Sequence, residues 1–198
     1  MGAAAAAAGA RALIAAGATA LASFGLAGGL DPALEPGAIC LPRSIIDADG
    51  AAFPTTGPWR ERLAGALAVQ YAIADGALLS SQRVIASVAE KAALRAASAA
   101  VAVDMESLAV AQVAAEQGLP FIAVRVIVDG AADALPRAVA AAGDGAGQLK
   151  LWRLLGALAR SPSELPPLIR LGARYRTASR TLKVIARAGA WPQRAFAR

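Results

Sequence analysis

Residues 100–129 read AVAVDMESLAVAQVAAEQGLPFIAVRVIVD and contain a complete strand–helix–strand unit. Ala100 to Val103 is a short apolar strand that runs into Asp104-Met105-Glu106, where a helix starts and continues to about Gln117. Gly118-Leu119-Pro120 closes that helix, since glycine frees the backbone and proline cannot continue the hydrogen-bond ladder. Phe121 to Val128 is then an unbroken apolar run apart from Arg125, the pattern of a central strand covered on both faces. Strands alternating with helices predict a mostly parallel α/β sheet with helices on both sides. Ligands of such sheets gather at the carboxyl ends of strands, where this stretch places Glu106 and Asp129. Two readings of these acids stand from pattern alone: site residues, or a helix-start acid and a turn residue before Gly130.

Upstream of this unit, an Ala-rich helix is expected at about Ala3 to Ala16, ended by Gly17. Thr19 to Phe24 reads as a buried strand leading into a glycine-rich turn, Gly25 to Gly29, a third segment that can converge on the same sheet edge. Further expectations are a strand over Ala38 to Ile46, loop from Asp47 to Pro58, a helix from Trp59 to Tyr71, a strand at Val84 to Ser87 and a helix over Ala89 to Ala97. The first 30 residues carry one charge, Arg11, but lack the basic start and Leu-rich stretch of a secretion signal. Alanine and glycine also enter lipid weakly, so Ala12 to Leu30 makes a poor span.

The 198 residues suit one such domain. The 57% hydrophobic content overstates the available core, because 56 residues are alanine and aromatics supply only 5%. No histidine occurs, which excludes Ser-His-Asp triads, His-ligated zinc and imidazole proton shuttles; acid and base chemistry falls to carboxylates, Tyr, Lys or Arg. Cys40, the single cysteine, reads as a buried small hydrophobe, and its solitude excludes an intrachain disulfide, as suits a cytoplasmic chain. No metal or cofactor is expected.

The net charge of +6 is unevenly placed. Residues 1–149 hold nine Lys and Arg against thirteen Asp and Glu, a balance of −4, whereas residues 150–198 hold eleven against Glu164 alone, a balance of +10. Two helical stretches are expected there: Leu149, Trp152, Leu155 and Ala159 share a face on the first, and Leu165, Ile169, Gly172, Leu182 and Ile185 lie broadly together on the second. Arg176, Arg180, Lys183 and Arg187 form a basic stripe. The stripe reads either as peripheral contact with an anionic membrane or as the solvated face of a helix packed on the body. Nucleic acid fits poorly, because stacking aromatics are few and the body is acidic.

Several motifs together resemble a known family. Val103-Asp104-Met105-Glu106-Ser107, Gly118 to Asp129, Ala132-Asp133 and the glycine segment Ser23 to Leu30 are similar to the nucleoside phosphorylase and methylthioadenosine/adenosylhomocysteine nucleosidase superfamily. Ser87-Val88-Ala89-Glu90-Lys91, the Asp-Met-Glu-Ser block and the tail with Leu165-Pro166-Pro167-Leu168-Ile169 are most like its hopanoid-associated phosphorylases. The resemblance covers roughly residues 10–185. It implies a three-layer α/β phosphorylase/hydrolase-like domain over residues 1–148 and a basic helical extension over 149–190. It implies cleavage of the N-glycosidic bond of an adenosyl hopanoid, releasing adenine. Glu106 is then expected to accept hydrogen bonds from the ribose hydroxyls, Met105 to wall the sugar, and Asp129 to protonate the purine N7 as the catalytic residue. Ala27 and Gly28 belong to the glycine segment, and Ile85 to the purine-contacting segment Val84 to Ala86. A homodimer is also implied.

The sequence departs from the family at three points. Members usually begin with a glycine-containing strand bearing a water-activating acid or a phosphate-holding arginine; here Met1 leads into alanine and no acid precedes Asp31, so that first strand is expected to be absent. Ser23 and Leu26 stand where phosphorylases place Arg and Ser as phosphate ligands, which supports classical phosphorolysis poorly, while water against phosphate as nucleophile is left open. Val128 stands where many members have serine. A methylthioadenosine/adenosylhomocysteine nucleosidase, or a non-catalytic adenosyl-binding remnant, are the alternatives. Among other residues, Arg125 needs Glu106 or Asp104 as a partner if buried, Asp104 is structural, Asp133 caps a helix and Lys91 faces solvent.

Overall fold

A computed structural model describes residues 2–136, 139 and 162–187. Its eight strands are β1 (Leu21–Gly29), β2 (Ile39–Cys40), β3 (Ser44–Ile46), β4 (Ala52–Pro54), β5 (Ile73–Ala74), β6 (Ala77–Ser80), β7 (Ala102–Asp104) and β8 (Phe121–Asp129). The helices among the described residues are α1 (Ala3–Ala15), α2 (Gly57–Leu67), α3 (Val88–Ser98), α4 (Ser107–Glu116) and α5 (Leu165–Arg187). One sheet holds all eight strands of the described residues, in the order β4-β3-β6-β7-β1-β8-β2-β5. The β3–β6, β6–β7, β1–β8 and β2–β5 pairs are parallel, while β3–β4, β1–β7 and β2–β8 are antiparallel. The expected α/β class with a mostly parallel sheet is borne out.

β8 organises the layers through strict alternation. Phe121, Ala123 and Ile127 join Ala10 of α1 and Ala111, Val113 and Ala114 of α4 in one core. Ile122, Val124 and Val126 join Trp59, Leu63 and Leu67 of α2 and Ala178 and Ile185 of α5 in another. The helices therefore cover both faces. α1 ends as expected, with Gly17 at φ +94°, a conformation that a side chain would strain.

The structure corrects several local expectations. Gly25 to Gly29 is strand rather than turn: β1 continues through it, paired along its length with β8 and at Gly28 and Gly29 with β7. Two-sided pairing overrides the turn preference of glycine. The expected strand over Ala38 to Ile46 splits into β2 and β3 around Leu41-Pro42-Arg43, where proline lacks a ladder donor. The expected loop from Asp47 to Pro58 contains β4 and the start of α2, and α2 ends at Leu67, short of Tyr71. Val84 to Ser87 is not a strand; the strand preceding α3 is β6, at Ala77–Ser80.

α5 buries Ala178, Thr181 and Ile185 against the sheet, with Leu182 partly buried beside them. Leu165 and Ile169, expected on that apolar face, are instead 49% and 59% exposed. Arg176, Arg180, Lys183 and Arg187 are exposed as well. The face expected for Leu149, Trp152, Leu155 and Ala159, and the boundary near 148, lie outside the described residues. Among the described residues no helix is long and apolar enough to cross a membrane.

Candidate functional site

Three strand ends meet at a cavity of about 190 Å³. β1 contributes Leu26, Ala27 and Gly28; β7 and the turn after it contribute Val103 to Glu106; β8 contributes Val128 and Asp129. Arg83, Val84 and Ile85 from the segment before α3, with Leu135, complete the lining. All six residues singled out in the sequence, Ala27, Gly28, Ile85, Met105, Glu106 and Asp129, therefore line one cavity. Lining is mostly apolar, and Glu106 and Asp129 stand in it on separate chain segments.

Glu106 occupies the N-cap position of α4, yet its carboxyl makes no capping bond. Asp104 does that work instead, its Oδ2 accepting from the Ser107 N–H at 3.0 Å. The Glu106 carboxyl is thus left to the cavity, and its pKa is raised, first by burial and then by the neighbouring Asp104 charge, with Arg125 opposing.

Arg125 is buried in the middle of β8 and takes Asp104 as its partner, one of the two acids expected. Its Nε lies 2.8 Å from Asp104 Oδ2, and its terminal nitrogens donate to Ser23 Oγ at 2.6 Å, Ser107 Oγ at 2.8 Å and the Val124 carbonyl at 3.0 Å. The guanidinium packs beside Gly25, where even a Cβ would meet it at 3.5 Å, in ordinary van der Waals contact. This network ties β1, β7, β8 and the start of α4 together directly behind the cavity. Asp104 Oδ1, also buried, has no hydrogen-bond partner among the described residues.

Asp129 is 4% exposed. Burial pushes its pKa up, while the charge and hydrogen bond of Lys91 pull the other way. Lys91, expected to face solvent, is 0% exposed, and its ammonium donates to Asp129 Oδ2. Sequence reasoning missed it because a charge on a short helix usually marks the wet side. The available signal was spacing: Lys91 shares an i, i+3, i+7 face with Leu94, which packs on the core, and Ser98. Asp133 accepts from the Gly130 N–H at 2.8 Å and pairs with Arg174 of α5 at 2.7 Å. Burial opposes its ionisation, but these bonds prevail and hold its pKa below the usual range. Asp133 thereby closes a turn; the helix expected after it falls largely outside the described residues. A second cavity, also about 190 Å³, lies between that turn and α5 and shares Asp129 with the first.

Cys40 is fully buried and its thiol is pushed up to about 12, chiefly by desolvation, so it is no nucleophile. Among the described residues no group of three His, Cys, Asp or Glu side chains could hold a metal ion. What the cavity offers is an apolar slot with two carboxyl groups whose protons are held more tightly than usual, suited to gripping hydroxyls and to delivering a proton.

Comparison with known proteins adds the following. The model of the phosphorylase superfamily matches residues 1–149. No sequence among the curated proteins matches. Among solved structures, the 5′-methylthioadenosine/S-adenosylhomocysteine nucleosidase of Neisseria meningitidis aligns at a TM-score of 0.71 and 20% identity, over 95% of this chain and 76% of that one. The futalosine hydrolase of Helicobacter pylori aligns at 0.67 and 18%, over 94% and 76%. For a mutant of the latter, aligned at 0.60 and 20% identity over 64% of this chain, the share of that chain covered is 66%, just under two thirds. At these identities the likeness establishes the fold.

Proposed function

The chain belongs to the phosphorylase superfamily, and on that premise we propose that it cleaves the N-glycosidic bond of an adenosyl hopanoid, releasing adenine and leaving ribosyl or phosphoribosyl hopane. The observation that carries the reaction class is the meeting of Glu106 and Asp129 in one largely apolar cavity. The hopanoid substrate rests on the resemblance of the Ser87 to Lys91, Asp-Met-Glu-Ser and tail segments.

Breaking the C1′–N9 bond sends its electron pair to the purine and leaves the sugar oxocarbenium-like. Asp129, its proton retained by burial, donates to purine N7 and so neutralises the departing base. Glu106 accepts hydrogen bonds from the ribose hydroxyls, and its negative charge favours the developing cation. Met105 and Ile85 supply apolar walls to the sugar and base, and Ala27 and Gly28 let the ligand approach β1 closely. Water or phosphate then adds at C1′, water giving up a proton to solvent, and Asp129 takes a proton back from solvent to close the cycle. The outward face of α5, with exposed Leu165 and Ile169 followed by four exposed cations, lies against the anionic inner face of the membrane, where a lipid substrate is met. The family resemblance adds a homodimer.

The test is adenine release from adenosylhopane in detergent micelles, followed by chromatography, with methylthioadenosine in parallel. Adenine from adenosylhopane, falling about 100- to 10,000-fold in Asp129→Asn, is the expected result. Strong preference for methylthioadenosine moves the assignment to a small-thioadenosine nucleosidase, the activity named for the Neisseria meningitidis enzyme of similar fold. No adenine from either substrate overturns catalysis. Sedimentation with anionic liposomes that weakens with salt checks the membrane contact; no binding at low salt refutes it.

A further inference from the structure

Lys91 is the residue of α3 that the structure buries, and every donor of its ammonium is used. One N–H goes to Asp129 Oδ2, one to the Gly130 carbonyl at 2.7 Å and one to the Asp133 carbonyl at 2.9 Å. All three acceptors belong to the end of β8 and the turn after it. An ammonium is an expensive way to fill a dry site, and packing alone would be served as well by a hydrophobic side chain of similar volume. Its placement therefore points to Asp129.

The surroundings single out this contact. Facing Asp129 from the other elements are Asp104 at the end of β7 and Glu106 after it, Arg83 before α3, Asp133 in the turn, and Arg170 and Arg174 on α5. Asp104 is occupied by Arg125, Arg83 by Glu90, and Asp133 by Arg174. Among the described residues, Lys91 is the cation that touches the Asp129 carboxyl. It binds Oδ2, while Oδ1 accepts no hydrogen bond among the described residues. Gly28 crowds the same group from β1: a Cβ there would stand 3.3 Å from Oδ2 and 3.6 Å from Oδ1.

Building on the glycosidic-cleavage reading, we infer that Lys91 is the positioning residue of Asp129, anchoring one carboxyl oxygen so that the other meets the purine, and that its charge sets the upper pH limit of proton delivery. The supporting balance is that burial favours the protonated carboxyl and prevails, while Lys91 opposes it in part.

The experiment compares the pH dependence of kcat/KM for adenine release from adenosylhopane in the wild type, Lys91→Met and Lys91→Arg. Removing the cation lets Asp129 keep its proton to higher pH, so in Lys91→Met the alkaline limb moves up by about one to three pH units. Lys91→Arg keeps the charge and leaves the limb near its original place. A Lys91→Met enzyme slowed equally at all pH values, its limb unmoved, overturns the role of Lys91 while leaving the site reading intact if Asp129→Asn is inactive. Full activity in Asp129→Asn instead refutes the site reading itself. Should Lys91→Met not fold, Lys91→Gln takes its place: an alkaline limb moved up supports the inference, and a limb unmoved overturns it.

Discussion

Replacing Arg125 by methionine tests the network behind the cavity. Methionine fills the space of the aliphatic stem but donates nothing. Among the described residues, Asp104 then loses its charge partner and keeps, on Oδ2, only the Ser107 N–H, while its Oδ1 already lacks a partner. Ser23 and Ser107 suffer less, because their hydroxyls lie 3.3 Å apart and can satisfy each other. The loss is therefore dominated by one buried, uncompensated carboxylate, about 3–5 kcal/mol. Against the roughly 5–15 kcal/mol that holds a domain together, this is a large share. Urea unfolding followed by circular dichroism should show a lowered midpoint at unchanged slope. Adding Asp104→Asn removes the stranded charge and should restore about 2 kcal/mol, a coupling expected of groups in contact. A loss below about 1 kcal/mol for Arg125→Met, or a double variant no more stable than the single one, would refute the reasoning.

Three other outcomes are expected. Gly76→Ala drives a Cβ into Val101 Cγ1, and because valine is stiff at χ1 the change should destabilise by about 1–3 kcal/mol, with Val101→Ala in the same chain recovering much of it in thermal melts. Glu106 must be ionised to accept from ribose, and its raised pKa means that activity is lost as pH falls through a value above the usual glutamate range; the acid limb of kcat/KM should lie there and disappear in Glu106→Gln. Cys40, with its thiol near 12 and no exposure, should resist disulfide reagents at about pH 8 in the native protein and react only at the rate of unfolding. Rapid native labelling would contradict its burial.

Legibility in the sequence followed the range of the physical signal. β8 and α4 were readable because their patterns are local and long: nine residues of strand and ten of helix between a Gly-Leu-Pro break and an Asp-Met-Glu start. β2, β4 and β5, two or three residues each, carry no periodicity and exist because neighbouring strands pair with them. The glycine segment misled for a related reason. Its turn preference is local, but its strand partners lie about 75 to 100 residues away in β7 and β8. α5 was recognisable as a basic helix, yet which face it would bury depended on where the sheet stood, and Leu165 and Ile169 ended outside.

The sequence by itself determined the α/β alternation, the absence of imidazole and disulfide chemistry, the division of charge between body and tail, and Glu106 and Asp129 as acids at strand ends. These are properties of composition and of short windows. Only the tertiary structure decided that the two acids share a cavity, that Asp104 rather than Glu106 caps α4 and holds Arg125, and that Lys91 lies buried beneath Asp129. The reason is physical: a charged side chain is buried only when its partners converge on it, and those of Lys91 come from 38 to 42 residues further along the chain.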